Sequence, residues 1–87
     1  MKYRSRTEIT NQILEAANEG ISKTKIMYKA YLSSAQLQGY LTALMASNLL
    51  EFSSTESKYR TTGKGREFLK AFEAMSNITG EMRKVAA

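Results

Sequence analysis

Apolar positions along the chain change period four times, and each change marks an element. From Ser5 to Asn18, Ile9, Ile13, Leu14 and Ala17 fall three and four residues apart, with Glu8, Gln12, Glu15 and Asn18 on the other faces. That spacing predicts an amphipathic helix. Ser5 or Thr7 caps its start, and the helix runs to about Glu19, where Gly20 supplies a left-handed residue. Ile21-Ser22 adds one extended rung before a short second helix, Lys23 to about Tyr31, with Ile26, Met27 and Ala30 inward. Leu32-Ser33-Ser34 breaks the period. A third helix follows from about residue 34 to 47, with Leu37, Leu41, Leu44 and Met45 as its stripe and Asn48 as its left-handed end.

Beyond Asn48 the pattern becomes that of a hairpin: Leu49 to Phe52 outward, Ser53 to Ser57 as a polar turn, Lys58 to Thr61 returning. Thr62 caps a last helix running from about Lys64 toward Val85 without a proline. In it Phe68, Ala71, Met75, Ile78, Met82 and Val85 recur in alternating steps of three and four. That is a heptad seam, widened by Phe72 near its start, and it predicts self-pairing into a homodimer. Gly80 lies off the seam and weakens the helix there by about 1 kcal/mol relative to Ala. The alternative, in which Met75, Ile78 and Met82 fold back on the same domain, conflicts with length: about twenty helical residues span roughly 30 Å, the width of such a domain.

Three helices and a hairpin in that order predict a mainly α, winged helix-turn-helix fold, with residues 1–63 as the winged domain and 64–87 as a dimerisation helix. Helix three is then the candidate for a duplex groove. Opposite its leucines it shows Ala35, Gly39, Thr42 and Ala46, flanked by Gln36 and Gln38. Small side chains let a helix axis approach a groove floor, Gln pairs bidentately with adenine, and the Thr or Ala methyl suits thymine. The competing reading makes the Gln and Thr side chains solvated surface and gives Gly39 to close helix packing.

Charge sharpens that picture. The 87 residues carry 13 Lys and Arg against 8 Glu and no Asp, a net charge of +5 and a pI near 9.6. Such a balance favours an anionic partner. Arg4 and Arg6 at the start, Lys23 and Lys25 with Lys29 on helix two, and Lys58 and Arg60 on the wing are candidate phosphate contacts, with Ser34 at the head of helix three. Lys58 and Arg60 equally suit the deterrence of edge-to-edge strand pairing. Tyr28, Tyr31, Tyr40 and Tyr59 read as core-edge residues rather than base-stacking platforms.

Neither Cys nor His occurs. The usual ligands for zinc and the usual neutral-pH general base are therefore missing, which argues against a metal, a cofactor and an enzyme. No signal peptide and no bilayer-length apolar run is visible, which predicts a cytoplasmic protein without membrane contact.

The strings Lys23-Thr24-Lys25-Ile26-Met27-Tyr28-Lys29-Ala30, Leu32-Ser33, Tyr40-Leu41 with Leu44, Leu49-Leu50 and Thr62-Gly63-Lys64-Gly65 resemble a family of small archaeal winged-helix regulators, over roughly residues 6 to 72. The resemblance implies a cytoplasmic, nucleoid-associated protein that binds double-stranded DNA and regulates transcription as a dimer joined by an antiparallel coiled coil of the last helix. Tyr31 stands where that family commonly has Asn, Asn48 where it commonly has Gly, and one extra residue precedes Lys64-Gly65. A winged-helix module that binds protein within a larger complex is the alternative, since a fold does not fix a function.

Overall fold

The computed structural model describes residues 4–86, and side chains as far as residue 78. Helices α1 (Arg6–Ala16), α2 (Lys23–Ala30) and α3 (Ser34–Ala46) precede strands β1 (Leu50–Ser53) and β2 (Lys58–Thr61), and helix α4 (Gly63–Ala86) closes the chain. This is the predicted element order, and the fold is a winged helix-turn-helix.

Each helix start is fixed locally by a hydroxyl. Ser5 accepts from Glu8 N–H at 3.0 Å while the Glu8 carboxylate takes Ser5 N–H, a reciprocal capping box. Ser22 accepts from Lys25 N–H, and Ser33 from Gln36 N–H with the Gln36 oxygen returning to Ser33 N–H at 3.0 Å. Thr62 accepts from Gly65 N–H at 3.0 Å. The turn between α2 and α3 is thus Tyr31, Leu32 and Ser33, one residue earlier than the expected Leu32-Ser33-Ser34, with Ser33 as the cap.

Helix ends are set differently. α1 stops at Ala16, three residues before the expected Glu19, and Gly20 turns left-handed at φ 89° only after an intervening turn. The reason lies in β2. The Thr61 hydroxyl donates to Leu14 C=O at 2.6 Å and Thr61 N–H to Ala17 C=O at 3.0 Å, so the last carbonyls of α1 find their partners in the sheet. Tyr31 (φ 54°) and Asn48 (φ 62°) are left-handed. After each, a leucine N–H reaches back, Leu32 to Met27 C=O at 3.1 Å and Leu49 to Leu44 C=O at 2.9 Å. Both are Schellman closures. Tyr31 and Asn48 thus occupy left-handed positions, where side chains other than Gly or Asn are strained.

One core joins these elements: Ile13, Leu14 and Ala17 of the first helix region, Ile26, Ala30 and Leu32 around the second, Leu37, Leu41 and Leu44 of α3, and Leu50. The strands pair antiparallel with Leu50 opposite Thr61 and Phe52 opposite Tyr59, whose rings meet at 4.8 Å. Ile21 supplies the predicted rung, exchanging two backbone hydrogen bonds with Tyr59 at 2.8 and 3.0 Å. The wing is thereby tied to the helix-turn-helix from its inner strand.

α4 enters through a close approach. A Cβ on buried Gly65 would collide with the Leu49 carbonyl oxygen and the Thr61 methyl group. Phe68 and Leu69 then pack against the core, so Phe68, expected in a free seam, belongs largely to its own domain. Phe72 stacks on Phe68 with centroids 6.4 Å apart and is half-buried, whereas Ala71, Met75 (59 % exposed) and Ile78 (60 %) face outward. The helix continues past Gly80 to Ala86. The side chains of Met82 and Val85, the remaining seam positions, lie outside the described residues. At 24 residues α4 is about 36 Å long. It packs against α1 and β2, and the molecule measures 49 × 29 × 19 Å.

Candidate nucleic-acid interface

α3 buries Leu37, Leu41 and Leu44 and leaves the opposite side open. At the crest of that side stand Ala35, Gly39 and Ala46, all exposed. A Cβ placed on Gly39 would meet nothing within 4 Å, so Gly39 serves no internal packing and that alternative falls. The helix also carries no charge of its own.

The predicted side chains divide into two groups across this crest. On the α2 side Lys23, Gln38 and Thr42 form one network. Lys23 Nζ donates to Gln38 Oε1 at 2.9 Å, Gln38 Nε2 to Thr42 Oγ1 at 3.4 Å, and Thr42 Oγ1 to Gln38 C=O at 3.0 Å. On the α1 side Arg6, Thr10, Gln36, Gly39, Tyr40 and Ala43 line a groove of about 470 Å³ between α1 and α3. Gln36 reaches it with only part of its hydrogen-bonding capacity, its oxygen being taken by Ser33 N–H. Ser34, first residue of α3, and Lys25 on α2 are exposed beside these groups.

Three other candidates occupy different environments. Arg4 is half-buried and its guanidinium donates to Gln12 Oε1, to Ala30 C=O and, at 3.0 Å, to Tyr31 C=O. It satisfies the end of α2 and holds the chain start against the turn, and little of it remains for an outside anion. Arg60 is half-buried on β2, and its guanidinium lies over Gly20, where an added Cβ would come within 2.9 Å of Nη2. Lys58 is exposed at the strand start.

Some features escape a reading of periodicity. Tyr28 and Tyr31 are 71 % and 83 % exposed, not core-edge residues as expected; a position at the outer face and at a left-handed turn keeps both rings off the core. Lys64 Nζ donates to Ser47 C=O at 3.0 Å and Thr62 Oγ1 to Asn48 C=O at 2.6 Å, so the Thr62-Gly63-Lys64-Gly65 string closes the end of α3.

Between Ile21 and Leu50 the chain holds three Lys and no acidic residue. The carboxylates of the described part lie on α1, after it, on the wing and on α4. Facing out from the helix-turn-helix is therefore a neutral crest bordered by ammonium groups, a surface suited to lie against a polyanion with hydrogen-bonding edges.

The winged helix-turn-helix family model matches residues 3–80. The chain belongs to that family. The fold is similar to that of Sso10a-2, a DNA-binding protein from Sulfolobus solfataricus, with a TM-score of 0.84 at 23 % identity over 95 % of this chain and 90 % of that one. No curated protein matches the sequence. Among the described residues of this winged helix-turn-helix, no helix is long and apolar enough to cross a membrane.

Proposed function

We propose that the protein binds double-stranded DNA as a homodimer and acts in transcription regulation or in organising the nucleoid, with α3 in the major groove and the hairpin of residues 49–61 along the backbone. The observation that carries this reading is the uncharged crest of α3 around Gly39, where an added Cβ would meet nothing within 4 Å, with Lys23, Lys25 and Arg6 as the nearby cations. Membership of the winged helix-turn-helix family and the likeness to a DNA-binding protein support it. Phosphate attraction comes from Lys23, Lys25, Arg6 and Lys58; such contacts position a protein, while the crest reads the bases. Ser34, at the head of α3, adds a hydroxyl for a phosphate or base edge. Arg4 drops out of the contact set because its guanidinium is hydrogen-bonded within the fold, and Arg60 is secondary because it is half-buried with its guanidinium lying over Gly20.

Dimerisation uses the outer half of α4. Ala71, Met75 and Ile78 lie exposed in heptad spacing, and Met82 and Val85 continue the spacing in sequence. Fluorescence anisotropy against a 20-base-pair duplex at two salt concentrations tests the DNA reading: affinity that falls steeply with salt is expected, and no binding at low salt rejects it. Sedimentation tests the dimer. Ile78→Glu and Met75→Lys, each placing a charge in an apolar seam, should give monomers with weaker DNA binding. Unchanged sedimentation of both variants rejects pairing through this helix. A stable protein partner in a native pull-down, together with indifference to DNA, establishes the protein-interaction reading instead.

A further inference from the structure

The network between α2 and α3 constrains Gln38 more tightly than a surface glutamine is usually held. An ammonium group only donates hydrogen bonds, so the Gln38 atom facing Lys23 Nζ at 2.9 Å is the oxygen. Thr42 has a single hydroxyl proton, and that proton goes to the Gln38 carbonyl at 3.0 Å. Toward the carboxamide its oxygen can therefore only accept, and the atom facing it at 3.4 Å is the NH2 group. A carboxamide between a pure donor and a pure acceptor has one orientation, fixed from both ends.

Valence remains for an outside partner. An amide oxygen has two lone pairs and an amide NH2 two protons, and the network uses one of each. Lys23 keeps two N–H groups. Gln38 and Thr42 are exposed on the flank of the α3 crest and Lys23 is half-buried beside them, and in order along the network the free valences are Nε2–H, Oε1, Nζ–H: donor, acceptor, donor.

That order is the complement of one kind of base pair. In the major groove an A·T pair presents adenine N7, adenine N6–H and thymine O4, which is acceptor, donor, acceptor. A G·C pair presents N7, O6 and cytosine N4–H, which sets oxygen against the Gln38 oxygen and a donor against the ammonium. We infer that Lys23 and Gln38 together form a composite reader of an A·T pair, with Lys23 both orienting Gln38 and contacting thymine O4, and Thr42 as the positioning residue at the other end. This inference rests on the major-groove reading proposed above and assigns Lys23 a base-directed role in place of a purely phosphate-directed one.

The test compares the full-length protein on 20-base-pair duplexes of alternating dA-dT and alternating dI-dC. Inosine lacks the guanine 2-amino group, so the two duplexes present like minor-groove patterns and differ in the major groove, where I·C displays the pattern of G·C. The wild type should prefer dA-dT by roughly ten-fold. Gln38→Ala should bring the ratio to about one while dI-dC binding changes little, Lys23→Met should bring the ratio to about one with dA-dT losing more affinity than dI-dC, and Thr42→Val should lower the ratio in part. Equal wild-type affinity for the two duplexes overturns the composite reader and leaves DNA binding standing. Absence of binding to either at low salt overturns both. If Lys23→Met keeps the preference but weakens both duplexes alike, with a salt slope shallower by about one, Lys23 is a phosphate contact and the composite is rejected.

Discussion

Gly39 and Gly65 are both helical glycines, and they stand in opposite surroundings. At Gly65 the first turn of α4 presses on the exit of α3 and on β2, and no Cβ fits between the Leu49 carbonyl and the Thr61 methyl. At Gly39, in the middle of α3, a Cβ meets only open space. A glycine costs a helix interior stability relative to Ala. At Gly65 the close approach explains its presence; at Gly39 no neighbour among the described residues does. The same contrast holds for the regions around them. At the junction the Thr61, Thr62 and Lys64 side chains are spent on the Leu14, Asn48 and Ser47 carbonyls, whereas at the crest of α3 Ala35, Gly39 and Ala46 stand exposed. One region is built to hold the domain together and the other to meet something outside it.

The contrast can be broken most strongly at the junction. Gly65→Ala should destabilise the fold by about 3 kcal/mol, because a methyl must displace backbone, and urea unfolding at unchanged slope measures the loss. A variant as stable as the wild type means that α4 can leave the junction without cost. Thr61→Val should cost about 1–3 kcal/mol: the shape is kept, but the buried Leu14 carbonyl loses its hydroxyl donor. Thermal melting reads this change, and an unaltered midpoint removes Thr61 as the terminator of α1.

Smaller effects sharpen the other side. Gly39→Ala should raise stability by about 0.5–1 kcal/mol, since it removes backbone entropy from the unfolded chain and meets no clash. Melting of the free protein checks the gain. A loss shows that the crest is packed in solution. Tyr31→Asn and Asn48→Gly should each stabilise by a few tenths of a kcal/mol to about 1 kcal/mol, by relieving a left-handed residue. Equilibrium unfolding of the pair, alone and combined, should show near-additive gains because the two turns share no partner.

The sequence made most of the scaffold legible because most of its signals act over three or four residues. Leu37, Leu41 and Leu44 are buried as their spacing predicts, Ser5, Ser22 and Thr62 cap where their positions predict, and the Ile21 rung forms. The candidate interface was legible only in part. Position on α3 put Gln36 and Gln38 on either side of the crest, yet their states differ: Gln36 is tied into its own helix cap, and Gln38 is held by a lysine fifteen residues away. Arg4 looked like a free basic arm by composition and proves to be a tether, since its partners are 26 and 27 residues distant.

Helix starts, strand alternation and the buried stripes follow from the chain alone, because a cap and an amphipathic period are satisfied by near neighbours. Where helices stop, which cations are consumed and which remain available depended on the folded arrangement. The carbonyls left over at a helix end accept from whatever donor the fold brings near. In this protein those donors are Thr61, Arg4 and Lys64, supplied across separations of 47, 26 and 17 residues.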